Sequence, residues 1–195
     1  MQCSAIHRTK TLEEPDHHVP SGRTTIAVGF HSGYGHTAAV AEAVACGAVG
    51  AGADAVVISV DTITDEQWAQ LDDADAIIFG AATYTDTASL AFHVFAEAGS
   101  RSGDKLSDLD CFVTLTAQPS MHSISLGPMP GWDSSKGGEK GFNRLVFFLE
   151  AGTQNPTDTR PEAFHTADLI TAEHLGARVA HQAAIFHAGR AALTA

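Results

Sequence analysis

Basic residues are scarce in this sequence. It contains 11 Lys and Arg against 23 Asp and Glu, which gives a formal net charge of -12 at pH 7. An acidic chain of this kind repels phosphate backbones and anionic lipid surfaces at long range. The composition therefore predicts no nucleic acid partner and no membrane partner.

Cysteine and long apolar runs are also rare. The three cysteines are odd in number and lack CxxC spacing, so we expect thiols in a reducing cytosol rather than a disulfide framework. The longest apolar runs, such as residues 53–60, are well short of the roughly 20 residues that a bilayer span requires. The first 23 residues mix charge with Pro and Gly and lack an apolar signal core. We therefore expect a cytoplasmic protein with a flexible leader at residues 1–23 and a single domain at residues 24–195.

Strand and helix patterns alternate through the first half of this domain. Residues 24–30, 54–60 and 75–80 are short, apolar and rich in β-branched side chains, which is typical of strands covered on both faces. Between them, residues 37–49 have helical apolar spacing, and the segment 64–67 has the spacing of a capping box. The βαβαβ alternation requires right-handed crossovers and predicts an α/β domain with a doubly wound parallel sheet.

The second half is less regular. Residues 81–89, AATYTDTAS, predict a loop, and residues 90–98 predict a helix. Residues 110–116, DCFVTLT, favour a fourth strand, and residues 166–186 predict a last helix. The apolar stripe of that helix consists of Ala172, Gly176, Val179 and Ala183.

The first predicted strand runs into a small polar turn, Ser32 to Thr37, immediately before a helix. In an open parallel sheet, ligands sit beyond the carboxyl ends of the strands, and the unpaired amides at a helix start attract anions. Gly33 and Gly35 permit close backbone approach and positive φ. The turn indicates a phosphate monoester site, with an ordinary turn capped by Ser32 as the alternative. The Walker and GxGxxG patterns are absent, which disfavours nucleoside triphosphates and Rossmann dinucleotides.

Longer stretches carry a family resemblance. The turn SGYGHT, its spacing to IIFGAATY and the later segments LGPMPGW, FNRLVFFLEAGTQNPTD and ADLITAEHLGARVA resemble the flavodoxin-like, WrbA-type NAD(P)H:quinone oxidoreductases. The resemblance covers most of residues 24–180. It implies a flavodoxin-like α/β fold with a five-stranded, doubly wound parallel sheet and helices on both faces. It also implies a homodimer or homotetramer.

The resemblance further implies a cofactor site for FMN. The phosphate would be bound by the turn residues Ser32, Gly33, Tyr34, Gly35, His36 and Thr37. The ribityl chain and flavin ring would be lined by Ala82, Thr83, Tyr84 and Thr85. The implied function is hydride transfer from NAD(P)H through FMN to a small quinone-like or polycyclic aromatic acceptor.

Two departures from the family pattern affect the ring end of this site. The second loop has Asp86 where a glycine is usual, and a carboxylate there would disfavour a negatively charged reduced ring. Further along the chain, the stretch between the predicted third helix and the flavin-ring loop is shorter than in the family, and Pro119 stands where the family has a histidine. Either the fourth strand is deleted, or residues 111–116, CFVTLT, remain that strand and the following helix is lost. We favour the second, because losing a central strand leaves buried backbone groups unpaired at about 1–3 kcal/mol each.

Two alternatives to the redox function stay open. One is a flavin-free enzyme that performs dehydration, cyclisation or hydrolysis with His31, Asp86 and His122, which stand at predicted strand carboxyl ends. The other is a non-catalytic binding protein that retains only the fold. The HExxH and GxSxG patterns are absent, and we predict no metal site. Arg144 is a candidate contact for an anionic group.

Overall fold

The computed structural model describes residues 23–84, 87–101, 112–113, 143–145, 151–155, 159–160 and 163–194. In chain order the elements are β1 Thr25–His31, α1 His36–Gly50, β2 Asp54–Ser59, α2 Asp65–Asp72, β3 Ala76–Ala81, β4 Thr83–Tyr84, β5 Thr87–Ala88, α3 Leu90–Arg101, β6 Phe112–Val113 and α4 Thr166–Thr194. A 3-10 turn, Val60–Thr62, follows β2 directly. Residues 1–22 of the predicted leader and the segment LGPMPGW lie outside the described residues.

Four of these strands form one parallel sheet in the order β2-β1-β3-β6. β1 lies between β2 and β3, with Phe30 paired to Ser59 on one side and His31 paired to Ala81 on the other. β6 pairs in parallel with the other side of β3. The sheet is therefore the predicted doubly wound α/β sheet, and the order of its strands reverses between β1 and β3. The described residues contain four of the five strands that the resemblance implies.

The predictions for the first half are confirmed. Each end of β1, α1, β2 and β3 lies within one residue of its predicted position. β6 also decides between the two alignments, because Phe112 and Val113 pair with β3 and so keep CFVTLT as the fourth strand. The region in which this chain is shorter than its family therefore does not include the fourth strand.

Helices cover both faces of the sheet. On one face, α1 and α4 pack over Ile26, Val28 and Ile78. On the other face, Ala27 and Ile77 belong to a cluster that includes apolar side chains of α2 and α3. Since successive side chains of a strand point to opposite faces, both sets must be apolar. This requirement explains why the strands read as continuous apolar runs.

α1 and α4 approach each other closely because each carries a glycine where they cross. A Cβ atom at Gly47 would overlap the backbone carbonyl of Glu173, and a Cβ atom at Gly176 would overlap that of Val44. The remaining members of the predicted α4 stripe, Ala172, Val179 and Ala183, are buried. The predicted stripe is therefore the contact surface of α4.

α2 begins with the predicted capping box. The Thr64 hydroxyl accepts a hydrogen bond from the Gln67 amide at 3.3 Å, and the Gln67 side chain accepts one from the Thr64 amide at 3.0 Å. The pKa of Glu66 is lowered from its ordinary value, first by a hydrogen bond from its own backbone amide and then by the Thr64 hydroxyl. Trp68 of α2 stacks on Phe95 of α3, with ring centroids 5.1 Å apart. Capping and stacking together hold α2 on its face of the sheet.

Three expectations need correction. Residues 81–89 contain a short antiparallel hairpin of β4 and β5 rather than only a loop, because backbone pairing of so few residues requires no apolar periodicity. α4 continues to Thr194 instead of ending near residue 186. Cys46 is disulfide-bonded rather than a thiol, because cysteine spacing along the chain does not decide proximity in space. The argument from cysteine content to a reducing compartment therefore loses its support.

Within the described ranges, no helix is both long enough and apolar enough to cross a membrane.

Candidate functional site

The turn after β1 leaves the start of α1 without a side-chain cap. Gly35 occupies the N-cap position with φ 84°, and within the described residues no side-chain hydrogen bond caps the start of the helix. That left-handed conformation strongly favours glycine, because a Cβ atom would clash with the backbone. The first turn of α1 also contains no acidic residue. Free amides and the positive end of the helix dipole therefore meet at this turn without a competing charge.

The side chains of the turn differ in exposure. The Ser32 hydroxyl oxygen is buried and has no hydrogen-bond partner in the part of the chain that the structure describes. Gly33 and Tyr34 face solvent, with Tyr34 66% exposed. Thr37 is half-buried, and its methyl group would lie 3.5 Å from a Cβ atom placed on Gly80. The turn thus offers an unmet hydroxyl beside free amides, at the carboxyl end of the central strand.

His36 directs its side chain away from these amides. Its Nε2 atom donates a hydrogen bond to the Thr159 carbonyl oxygen over 3.2 Å, and its ring meets the Phe164 ring edge-on at 6.0 Å. The imidazole therefore joins α1 to the segment that precedes α4. Only the backbone amide of His36, the first amide of α1, is then available to a ligand in the turn.

The second predicted loop follows β3 at the same edge of the sheet. Ala82 lies between β3 and the hairpin, and Thr83 and Tyr84 form β4. Thr85 and Asp86 lie outside the described residues, so their predicted roles stay predictions. Beyond the hairpin, the Ser89 hydroxyl oxygen is buried and unpartnered within the described ranges. The hairpin and the turn at Ser32–Thr37, which we call the phosphate turn after its predicted ligand, thus follow neighbouring parallel strands. Both lie at one end of the sheet.

His31 has a carboxylate partner that the sequence did not indicate. Its Nε2 atom lies 3.1 Å from an oxygen of Asp61, in the 3-10 turn after β2. We predicted Asp86 and His122 as its companions, and both lie outside the described residues. Asp61 follows a buried strand directly, as His31 ends one, and this shared edge was the available signal. Of the three predicted catalytic residues, the structure describes only His31.

Arg144 is held by the protein itself rather than free for an anionic ligand. Its Nε and Nη2 atoms donate to the two carboxylate oxygens of Asp168 at 2.6 and 2.7 Å. Asp168 is fully buried, and one of its oxygens also accepts the Gln154 amide at 3.0 Å. Such a bidentate pair fixes both planar groups. The anionic group that Arg144 contacts in this structure is therefore the Asp168 carboxylate at the start of α4.

Comparisons with known proteins agree with this arrangement. Residues 28–114, which include the phosphate turn and the hairpin, match the family described as Flavodoxin. The chain is also 32% identical to Flavodoxin FldP of Pseudomonas aeruginosa over 183 residues, covering 82% of this chain and 96% of that protein. This chain belongs to the flavodoxin family.

Solved structures extend the comparison for this flavodoxin. A flavodoxin, WrbA-like protein from Agrobacterium tumefaciens is 30% identical with a TM-score of 0.58, covering 82% of this chain and 97% of that one. The flavodiiron protein from Giardia intestinalis is 15% identical with a TM-score of 0.50, covering 85% of this chain and 37% of that one. The second likeness concerns the fold alone. The chain is thus a divergent flavodoxin-like, WrbA-type member of the family.

Flavodoxin membership implies FMN, and the described residues fit the phosphate end of that cofactor. The left-handed Gly35 exposes the helix amides, and the buried Ser32 hydroxyl has no partner within the described ranges. A phosphate accepts hydrogen bonds from both kinds of donor. Among the described residues, no group of three His, Cys, Asp or Glu side chains is arranged to hold a metal ion.

Proposed function

We propose that this flavodoxin binds FMN through its phosphate at Ser32–Thr37 and acts as an electron carrier. The observation that carries the proposal is the uncapped start of α1 beside the buried, unpartnered Ser32 hydroxyl. When bound, FMN supplies reversible electron uptake and release. A relative named flavodoxin, matched over 96% of its length, supports the carrier role.

In this proposal each part of the turn has one task. The amides of α1 donate hydrogen bonds to the phosphate, and the Ser32 hydroxyl donates another. Gly35 keeps the backbone in the left-handed conformation that leaves those amides free. The hairpin, beginning at Thr83, borders the ribityl chain and ring at the end of the neighbouring strand. The protein thereby orients the cofactor and leaves the redox chemistry to it.

A second candidate is an NAD(P)H-dependent oxidoreductase that reduces a small quinone-like or polycyclic aromatic acceptor. The similarity to a WrbA-like protein, 30% identical over 97% of that chain, supports it.

We also propose a homodimer or homotetramer for this flavodoxin. Leu90 and Val94, four residues apart on α3, are 79% and 59% exposed and would be covered in such an assembly. Light scattering of the purified protein and of a Leu90→Ser variant measures the assembly state directly.

FMN binding is tested by titration. We expect the purified chain to take up FMN, and we expect Ser32→Ala to weaken binding about tenfold or more, since a hydrogen bond to a charged group contributes about 1.5–3 kcal/mol. Thr62→Ala, which removes an exposed hydroxyl on the 3-10 turn, is the matched control and should leave binding unchanged. A chain that takes up no FMN would refute the proposal and favour the flavin-free enzyme or the binding protein.

Turnover then separates the two redox candidates. A carrier should be reduced only through an added flavin-dependent reductase, whereas an oxidoreductase should oxidise NAD(P)H by itself when a quinone is present. Absorbance at 340 nm measures this difference with the FMN-loaded protein. Rapid quinone-dependent NAD(P)H oxidation without the reductase would replace the carrier role with the oxidoreductase role.

A further inference from the structure

His31 has two ring nitrogens in different surroundings. Nε2 lies 3.1 Å from a carboxylate oxygen of Asp61, whose other oxygen accepts a hydrogen bond from the Ser59 hydroxyl at 3.1 Å. Nδ1 is buried and has no hydrogen-bond partner within the described part of the chain. The His31 side chain is 14% exposed, whereas that of Asp61 is 41% exposed. The pair therefore reaches from solvent, at Asp61, to a buried nitrogen with an unmet bonding capacity.

The position of His31 in the sheet places it between the two predicted FMN-binding segments. It is the last residue of β1, so the phosphate turn begins at the next residue, Ser32. Across the sheet it pairs with Ala81, the last residue of β3, after which the second loop begins. Two adjacent residues, His31 and Ser32, thus carry buried polar atoms without partners at the point where the strand order reverses. Such a point is where ligands bind in open α/β sheets.

The contact with Asp61 determines the state of the ring. A carboxylate only accepts hydrogen bonds, so Nε2 must carry a proton to bond with it. In the neutral imidazole Nδ1 then has no proton and can only accept, whereas in the imidazolium it donates. A phosphate dianion presents acceptors only. A phosphate bound in the turn within reach of Nδ1 would therefore be complementary to it only when His31 carries both protons.

Asp61 is the one charged group that pairs with His31 among the described residues. Five other ionisable groups on or beside the elements packed against β1 have contacts of their own. They are His36 with Thr159, Asp54 with Arg23, Asp75 with His187, His93 with Thr87 and Asp168 with Arg144. An added dianion beside the ring would stabilise the imidazolium further.

We propose that His31 takes up a proton when the FMN phosphate binds in the turn, with Asp61 holding the imidazolium, so that FMN binding depends on pH. His31 is a positioning residue in this scheme and performs no chemistry on the flavin. The step is balanced: one proton from solvent is bound together with one FMN and is released with it. The inference rests on the proposed function, since it requires FMN phosphate in the turn.

The test is calorimetric titration of the full chain with FMN at pH 8, in two buffers that differ in protonation enthalpy. We expect uptake approaching one proton per FMN. The phosphate contributes none of it, because a phosphate monoester with a pKa near 6 is already dianionic at pH 8. If one proton is bound together with each FMN, affinity should fall up to about tenfold per pH unit over the pH range in which that uptake is measured. Riboflavin, which lacks the phosphate, should bind without proton uptake.

Two variants and one control isolate His31. His31→Gln retains a hydrogen-bonding side chain without a titratable ring, so it should abolish proton uptake and flatten the pH dependence. Asp61→Asn should reduce uptake, and it serves as the second variant if His31→Gln does not fold. His181→Gln, which alters an exposed histidine on α4, should behave like the unchanged protein.

The outcomes are distinguishable. FMN binding without proton uptake, or uptake that persists unchanged in His31→Gln, would overturn this inference and leave the proposed function standing. Uptake of equal size with riboflavin would also overturn it, because the phosphate would then have no part. Failure of the unchanged chain to bind FMN would overturn the inference and the proposed function together.

Discussion

The crossing of α1 and α4 offers a prediction whose sign reverses between two glycines of one helix. Gly176 lies at the crossing, where an added Cβ atom would overlap the Val44 carbonyl and also approach the Ala48 amide at 3.0 Å. Gly189 lies further along α4, where an added Cβ atom meets nothing within 4 Å. Both positions are interior to a helix, so each alanine substitution brings the same gain in helix propensity, about 1 kcal/mol.

At Gly176 the gain in propensity is outweighed by steric overlap. The atoms that the new Cβ would meet belong to the backbone of α1, which cannot rotate away as a side chain does, so α4 must move off α1. Overpacking of a well-packed core costs about 1–3 kcal/mol and more where backbone must shift. The buried residues Ala172, Val179 and Ala183 would lose contact with α1 in that movement. We expect Gly176→Ala to lower the free energy of unfolding by about 2 kcal/mol.

Urea denaturation followed by circular dichroism at 222 nm measures both variants. Gly176→Ala should unfold at a lower urea concentration. In thermal unfolding its Tm should be lower by about 4–8 °C for a chain of this size. Gly189→Ala should match or exceed the stability of the unchanged protein. If Gly176→Ala is as stable as Gly189→Ala, the helices do not approach as closely as the structure has them and the reasoning fails.

Three further predictions concern the cap, the buried ion pair and one carboxylate. Asp168→Asn should lower the free energy of unfolding by about 3 kcal/mol in urea, because it leaves Arg144 without its anionic partner; an unchanged midpoint would contradict the role of this pair. Gly35→Ala should cost about 1–2 kcal/mol, since φ is 84° there, and it should weaken FMN uptake in a fluorescence titration. The lowered pKa of Glu66 adds stability above the ordinary carboxyl pKa and loses it as pH falls through the folded value. The deficit of Glu66→Gln, measured by calorimetry, should therefore be present at neutral pH and vanish in acid.

Much of the fold could be predicted because its signals are local. The continuous apolar runs of β1 and β3 reflect burial on both faces, which each strand reports by its own composition. The capping box at Thr64 depends on residues three positions apart, and the glycine at position 35 reports the left-handed turn before α1. Because such features depend on neighbours along the chain, the sequence predicted the order of the elements and the position of the turn before α1.

The short hairpin and the functional pairings could not be predicted in this way. Arg144 suggested an anion contact by its charge, and the structure binds it to Asp168, 24 positions away. We predicted Asp86 as a companion of His31, and Asp86 lies outside the described residues. The register of β1 beside β2 brings His31 to Asp61, which the sequence did not indicate. Charged side chains reach any partner that the packing brings near, so their type alone does not select one.

By itself the sequence determined which segments are strands, which are helices and where an anion would meet a helix start, since each depends on a few consecutive residues. Only the tertiary structure decided that His31 and Ser32 each bury a polar atom without a partner among the described residues, and that Gly47 and Gly176 mark a close approach of two helices. Those facts depend on strand register and helix crossing, which are set by the packing of distant segments rather than by any local pattern.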